Sequence, residues 1–324
     1  MTDFLTHGRI VGGVVTTPDL DAALDDYHGR LGFALIEKGQ LGGLLAASWG
    51  IEGLADKRMA ILQPTSGAHC FIRLVEQPLP DEFVPTTTYG WASYEITVQD
   101  VFGWPAKIAG SGFDIIGPPK EIDGLPYFVA MQVHGRGKEM LYFNETRSNT
   151  PSSDLPFARS PMDHIFIVIL ATPDRKATVA WYRDRLKLDE GDSYTIAYSM
   201  INNAFDLPAD TLSSLTMVQK GRMPIVEIDD YPAQASERST MPGCLPPGNA
   251  LVTLAVDSLD ALDLDWISAP QILSGPPYGG RRAATVRGPA GELLELLEIR
   301  GISSEVETPN GSAIPDNRES GPRF

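Results

Sequence analysis

The sequence predicts an α+β protein built of four similar units arranged as two pairs. Three observations lead there. "RIVGGVVTTPDLDAALDDYHGRLGF" (9–33) lies without gaps over "HIFIVILATPDRKATVAWYRDRLKL" (164–188). Further along, "GAHCFIRLVEQP" (67–78) lies over "GRMPIVEIDDYP" (221–232). Finally, "ASYEITVQDV" followed by "GFDIIGPPK" matches "LVTLAVDSL" followed by "APQILSGPPY". A chain of 324 residues is also long for one core and suits two domains.

Each element follows from local chemistry. The first and third units open on a β-branched strand, then a Thr-Pro-Asp turn in which Asp19 or Asp174 is placed to cap a short amphipathic helix. Within that helix Tyr27 falls on Tyr182 and Leu31 on Leu186. In the later strands Arg73 falls on Glu227. The second and fourth units end on "HGRGKEMLYF" and "RGPAGELLELLE", and counting from Gly137 and Gly291 sets Leu141 against Glu295. Units of this size bury their faces against a neighbour, so pairing is expected. Sequence order then gives an N-terminal domain (1–147), a Pro- and Ser-rich linker (148–161), a C-terminal domain (162–300) and a flexible tail (301–324). A second irregular stretch, 229–250, joins the third unit to the fourth.

Composition narrows the function classes. A net charge of -16 disfavours a polyanionic partner, so no nucleic acid is expected. No apolar run has the length of a membrane span, and "MTDFLTHGR" lacks the features of a secretion signal, so a cytoplasmic protein is expected. Cys70 and Cys244 lack the spacing of a metal knuckle or redox pair. "GQLGGLLAASWG" (39–50) is Gly-rich without phosphate-loop spacing.

The stretches "MDHIFIVI…WYRDRL" and "RGPAGELLELLE", with the fourfold plan, resemble the vicinal oxygen chelate superfamily, which includes glyoxalase, bleomycin-resistance and extradiol-dioxygenase proteins. The resemblance covers nearly all of residues 9–299. It implies four βαβββ modules paired into two glyoxalase-like domains, each a curved mixed sheet cupping a divalent metal (Fe, Mn, Zn, Ni or Co). Carried over position by position, it gives His164, Glu227 and Glu295 as metal ligands, with Glu227 or Glu295 as the catalytic base. The fourth place holds Leu251 or Thr253, depending on register. In the first pair the corresponding places hold Arg9, Arg73, Ser93 or Glu95, and Leu141, which build no cation site by this route.

Near the rim, Tyr278, Arg281 and Arg282 are candidates for contacting a small-molecule substrate, together with Thr253. Trp181 and Tyr182 are expected to pack their helix on the sheet. The implied activity is a metal-assisted isomerase or lyase acting on a small oxygenated, apolar or aromatic substrate. Two alternatives stand beside it: an extradiol-type ring-cleaving dioxygenase, for which a second histidine is missing, and a non-catalytic protein that sequesters a small molecule. A homodimer is compatible with the layout.

Overall fold

The computed structural model describes residues 5–122 and 125–299, and the expected tail (301–324) lies outside the described residues. Module one runs β1 (Ile10–Thr17), α1 (Leu20–Leu24), β2 (Ala34–Gln40), α2 (Gly43–Ser48), β3 (Arg58–Gln63) and β4 (Phe71–Glu76). Module two runs β5 (Gly90–Val98), α3 (Trp104–Lys107), β6 (Asp114–Ile122), β7 (Leu125–His134) and β8 (Met140–Thr146). Module three runs β9 (Met162–Thr172), α4 (Arg175–Leu186), β10 (Asp189–Ala197), α5 (Ser199–Ala204), β11 (Leu212–Lys220) and β12 (Met223–Asp230). Module four runs β13 (Asn249–Val256), β14 (Gln271–Ile272), β15 (Arg282–Arg287) and β16 (Leu293–Glu298). The α+β architecture and the four βαβββ-type modules are as expected, with a 3-10 turn at Leu259–Ala261 in place of the fourth helix.

Two capping devices recur, one in modules one and three and the other in every module. Asp19 and Asp174 accept hydrogen bonds from the Ala22 and Ala177 amides, each at 3.0 Å, which starts α1 and α4. An acid near the end of each last strand then reaches across to the helical turn that follows the first strand. Glu76 accepts from the Leu20 amide at 2.9 Å, Glu145 from Val101 at 2.7 Å, Asp230 from Arg175 at 3.0 Å and Glu298 from Leu259 at 3.0 Å. Carboxylates favour such sites because the first amides of a helix lack partners and carry partial positive charge.

The modules do not pair in sequence order. One eight-stranded sheet runs β14-β15-β16-β13-β1-β4-β3-β2 and joins modules one and four; the other runs β10-β11-β12-β9-β5-β8-β7-β6 and joins modules two and three. The seams are antiparallel, β1 on β13 and β9 on β5. This corrects the expected division at the 148–161 linker: the second sheet runs straight across it, and the first sheet needs both ends of the described chain. The strands read alike in all four modules, so alternation fixes which face is buried but leaves the partner open.

The main core lies between the helix-bearing faces of the two sheets. Tyr94 locks them together, its hydroxyl donating to the Val14 and Leu251 carbonyls at 2.9 and 2.8 Å. Its ring leaves no space for a side chain at Gly13, where a Cβ would sit 2.6 Å from a ring carbon, and this accounts for a glycine inside β1. Tyr182 is fully buried and Trp181 packs beside it, as expected. Two matched buried pairs cross between modules: Tyr27 donates to Glu139 at 2.8 Å and Tyr182 to Glu292 at 2.8 Å.

Candidate functional site

Register identifies the inward-facing positions of each cup. In the first sheet Val14 lies beside Arg73, Gly12 opposite Thr253, and Thr253 beside Glu295. In the second, Ile169 lies beside Glu227, Ile167 opposite Glu95, and Glu95 beside Tyr142. Arg73, Thr253 and Glu295 thus correspond to Glu227, Glu95 and Tyr142.

Both cups are closely filled, each around a void of about 10 Å³, and the first is charge-balanced. Glu295 is buried and accepts from Trp49 Nε1 at 2.8 Å, Thr253 Oγ1 at 2.7 Å and Tyr278 Oη at 3.0 Å. Trp49 is delivered by α2, which packs onto the concave face with Val14, Phe71, Leu251 and Leu293. Arg73, also buried, donates to Tyr278 Oη at 3.2 Å and to the Pro276 carbonyl at 3.0 Å, with its guanidinium 5.5 Å from both the Trp49 and Tyr278 rings. A void of about 10 Å³ remains, the room one water would take.

The second cup carries acids without a base. Glu95, Glu227 and Asp229 face it, with Asn144 donating to Glu95 and Tyr198 donating to Glu227 at 3.2 Å. Tyr142 and Tyr198 are joined through their hydroxyls at 3.2 Å, and α5, which follows Tyr198, adds Met200 and Ile201 to the lining. Burial raises the Glu227 carboxyl to about 7 even though Tyr198 and Asp229 hydrogen-bond it. Burial, then the neighbouring Glu227 charge, pushes both Glu95 and Asp229 well above the carboxylate range. Ser93 Oγ, Asn144 Oδ1 and Asp229 Oδ1 are buried without a hydrogen-bond partner. Such orphaned groups are uncommon and mark where something polar is to be received.

The structure does not bring His164, Glu227 and Glu295 together. Glu295 belongs to the first sheet and Glu227 to the second. His164 shares the second sheet but stands five residues before Ile169, the register partner of Glu227, a distance of about 16 Å along an extended strand. Its Nδ1 lies 3.2 Å from Asp163 Oδ1. Burial works upward on Asp163, but hydrogen bonds from His164, Ser66 and the Arg159 amide outweigh it and hold its pKa at about 2. His164 and its counterpart Arg9 line one groove of about 250 Å³ with Leu155 and Met223.

Of the proposed rim residues, Tyr278 and Thr253 are buried against Glu295, while Arg281 bonds the Tyr278 carbonyl at 3.2 Å. Arg282 pairs with Asp260 at 2.7 Å and Glu298 at 3.4 Å. Neither arginine joins the hydrogen bonds around Glu295. Leu141 is likewise a core residue; the strand partner pattern makes Tyr142 the counterpart of Glu295.

Glu95, Asp229 and Asn144 carry the second cup and were missed as a set. Their signal was present as polar residues on alternate positions of apolar strands: Ser93 and Glu95, Tyr142 and Asn144, Glu227 and Asp229.

A divalent metal does not fit either cup as built. In the first, a cationic Arg73 already stands in the ring of inward-facing positions and three donors occupy Glu295. In the second, Asn144 and Tyr198 hold the carboxyls, and neither set of inward positions includes a histidine. Among the described residues no group of three His, Cys, Asp or Glu side chains is arranged to hold a metal ion.

Among the described residues, no helix is long and apolar enough to cross a membrane. No protein-family model matches the sequence, and no curated protein matches it. Solved structures do. Glyoxalase I from Zea mays superposes with a TM-score of 0.58 at 16% identity, covering 90% of this chain and 92% of that one. A mutant form of the same maize enzyme gives 0.58 at 17% identity, covering 90% and 93%. A protein from Bacillus subtilis subsp. subtilis str. 168 named as a candidate dioxygenase gives 0.58 at 9% identity, covering 91% and 86%. With four modules, two mixed eight-stranded sheets and alignment over nine-tenths of its length, this chain has the fold seen in glyoxalase I from maize.

Proposed function

We propose that this protein is an acid–base enzyme of the isomerase or lyase type, with its working site in the cup of modules two and three, and that carboxyl groups do there what a metal was expected to do. The observation that carries this reading is the cluster of Glu95, Glu227 and Asp229, three inward-facing acids with no basic partner, beside unpartnered Ser93 and Asn144 oxygens.

A carboxyl held near 7 suits proton transfer at neutral pH, because it spends time in both forms. Substrate enters only when α5, with Met200 and Ile201, moves aside to widen a void of about 10 Å³, and Glu227 as carboxylate then takes a proton from the carbon next to a substrate carbonyl. Glu95 and Asp229, kept protonated by burial and by the neighbouring Glu227 charge, donate hydrogen bonds to the oxygen as negative charge builds on it. Return of the proton from Glu227 to a different carbon completes an isomerisation; loss of a leaving group instead completes an elimination. Tyr198 holds Glu227 in place and Asn144 holds Glu95.

The test is exchange of α-protons into deuterated water, followed by proton NMR with a panel of cyclic and aryl ketones. The wild type is expected to exchange at least one ketone, and Glu227→Gln to lose about 100-fold or more. Exchange that survives Glu227→Gln refutes the assignment. Stoichiometric metal that copurifies and is lost in Glu227→Gln returns the expected metal-assisted chemistry. Tight ketone binding without exchange supports sequestration instead. Ring cleavage gains no support, since iron would want imidazole ligands that neither cup supplies.

A further inference from the structure

Between the third and fourth modules the chain crosses from one sheet to the other through an irregular segment, 231–248, and Arg238 lies in it. The segment is fastened to the start of module two: the Tyr89 amide donates to the Ser236 carbonyl at 2.9 Å. Arg238 Nε donates to Thr88 Oγ1 at 2.9 Å and Nη1 to the Asn249 carbonyl at 3.0 Å, with the Phe83 ring 5.5 Å from the guanidinium. Every one of these partners is neutral. In a chain with 42 acidic and 26 basic residues, none of the described ion pairs includes Arg238. Burial lowers its pKa to about 10, with no carboxylate holding it up. Arg238 is half-buried, and a partly desolvated cation with no anion beside it is prepared for one from outside.

Beside Arg238 opens a cleft of about 480 Å³, within the usual range of small-molecule sites. Tyr89, Pro173, Pro246 and Pro289 give it flat apolar walls, and Arg287 adds an exposed second cation. Two acids also line it. Glu292 is engaged by Tyr182 and the Ala290 amide, and Glu237 is exposed to solvent. None of the inward-facing residues of either cup lines this cleft.

We propose that the cleft is a second ligand site, for a small aromatic carboxylate, with Arg238 as its counter-ion. Arg238 Nη2 makes no hydrogen bond to the described protein, and together with Nη1 it presents the edge a carboxylate bridges through two parallel bonds. The aromatic and proline walls receive the ring.

Isothermal titration of the full chain with benzoate, benzyl alcohol and inorganic phosphate tests this. Benzoate is expected to bind saturably, and at least tenfold more tightly than either other probe. Arg238→Gln should weaken benzoate tenfold or more, while Glu227→Gln, in the cup, should leave it unchanged. Thr240→Trp gives an independent block, because Thr240 is exposed at the cleft and touches none of the Arg238 bonds; it decides the matter if Arg238→Gln fails to fold. Absence of benzoate binding at millimolar concentration overturns the proposal. So does benzyl alcohol or phosphate binding as tightly as benzoate, a loss in Glu227→Gln, or full binding in Arg238→Gln or Thr240→Trp.

Discussion

Stability should fall as pH rises from about 5 to about 7.5, and Glu139→Gln should flatten that fall. Glu139 and Glu292 are both about 2% exposed. Burial raises each to about 7 from an ordinary 4.5, although Tyr27 and the Gly137 amide, or Tyr182 and the Ala290 amide, hydrogen-bond the charged form. The folded chain therefore keeps a proton that the unfolded chain releases. Its contribution is complete below the unfolded value and is lost as pH climbs through the folded one. At about 1.4 kcal/mol per pH, the interval from 4.5 to 7 amounts to about 3 kcal/mol for each group. Glu227, also raised to about 7, acts in the same window, and the raised Glu95 and Asp229 add to the fall in the same direction. Urea denaturation at pH 5, 6, 7 and 8 gives the slope. Glu139→Gln removes one of these titrations, so about 3 kcal/mol of the fall should vanish, while any lost hydrogen bond shifts the whole curve without tilting it. General repulsion from a net charge of -16 acts almost equally on both proteins and cancels in the comparison. A wild type that gains stability between pH 5 and 7, or a Glu139→Gln variant with an unchanged slope, would refute the reasoning.

Three further outcomes follow from contacts described above or next to them. Gly137→Ala places a Cβ 1.7 Å from the Thr16 carbonyl oxygen, a backbone atom with nowhere to go, so a loss of about 3 kcal/mol is expected in urea; an unchanged midpoint refutes it. Tyr278→Phe deprives Glu295 and Arg73 of a shared hydroxyl and should cost about 1.5 to 3 kcal/mol, with a value near zero showing that the first cup is not tied together this way. Treatment with EDTA should leave the melting temperature unchanged, because neither cup relies on a metal for its charge balance; a drop of several degrees contradicts the fit argument.

Much of the fold was legible because its units repeat short-range chemistry. The Thr-Pro-Asp turns announced themselves, since Asp19 and Asp174 cap their helices through bonds three residues long. Pairing was not legible, because β1 meets β13 across more than 200 residues, and nothing local distinguishes β13 from β5 as its partner. The last strand shows how small an error redirects a site. Aligning Gly137 with Gly291 is off by one: the hairpins superpose as Gly135 on Gly288, where each glycine amide bonds the Glu139 or Glu292 carbonyl at 2.9 Å. That single step exchanges Leu141, in the core, for Tyr142, in the cup. Glu227 faces inward on β12, at a place where the resemblance implied a carboxylate. Glu95 was set aside because its half of the chain was read as lacking a site, whereas the cup takes one module from each half.

The nested pairing of modules also dictates an order of assembly. All strands of the inner sheet lie between Gly90 and Asp230, so it is complete once the third module has been synthesised. The outer sheet must wait: β1 is the earliest strand made, and its seam partner β13 begins only at Asn249. Loop closure over that span is slow, and the waiting edge of β1 is open to wrong partners. A ribosome-bound chain whose residues up to about 240 have cleared the exit tunnel should hold an inner sheet that is protected from protease while its first module is still cleaved. The candidate acid–base cup would then be finished before the protein's own first strand has found its place.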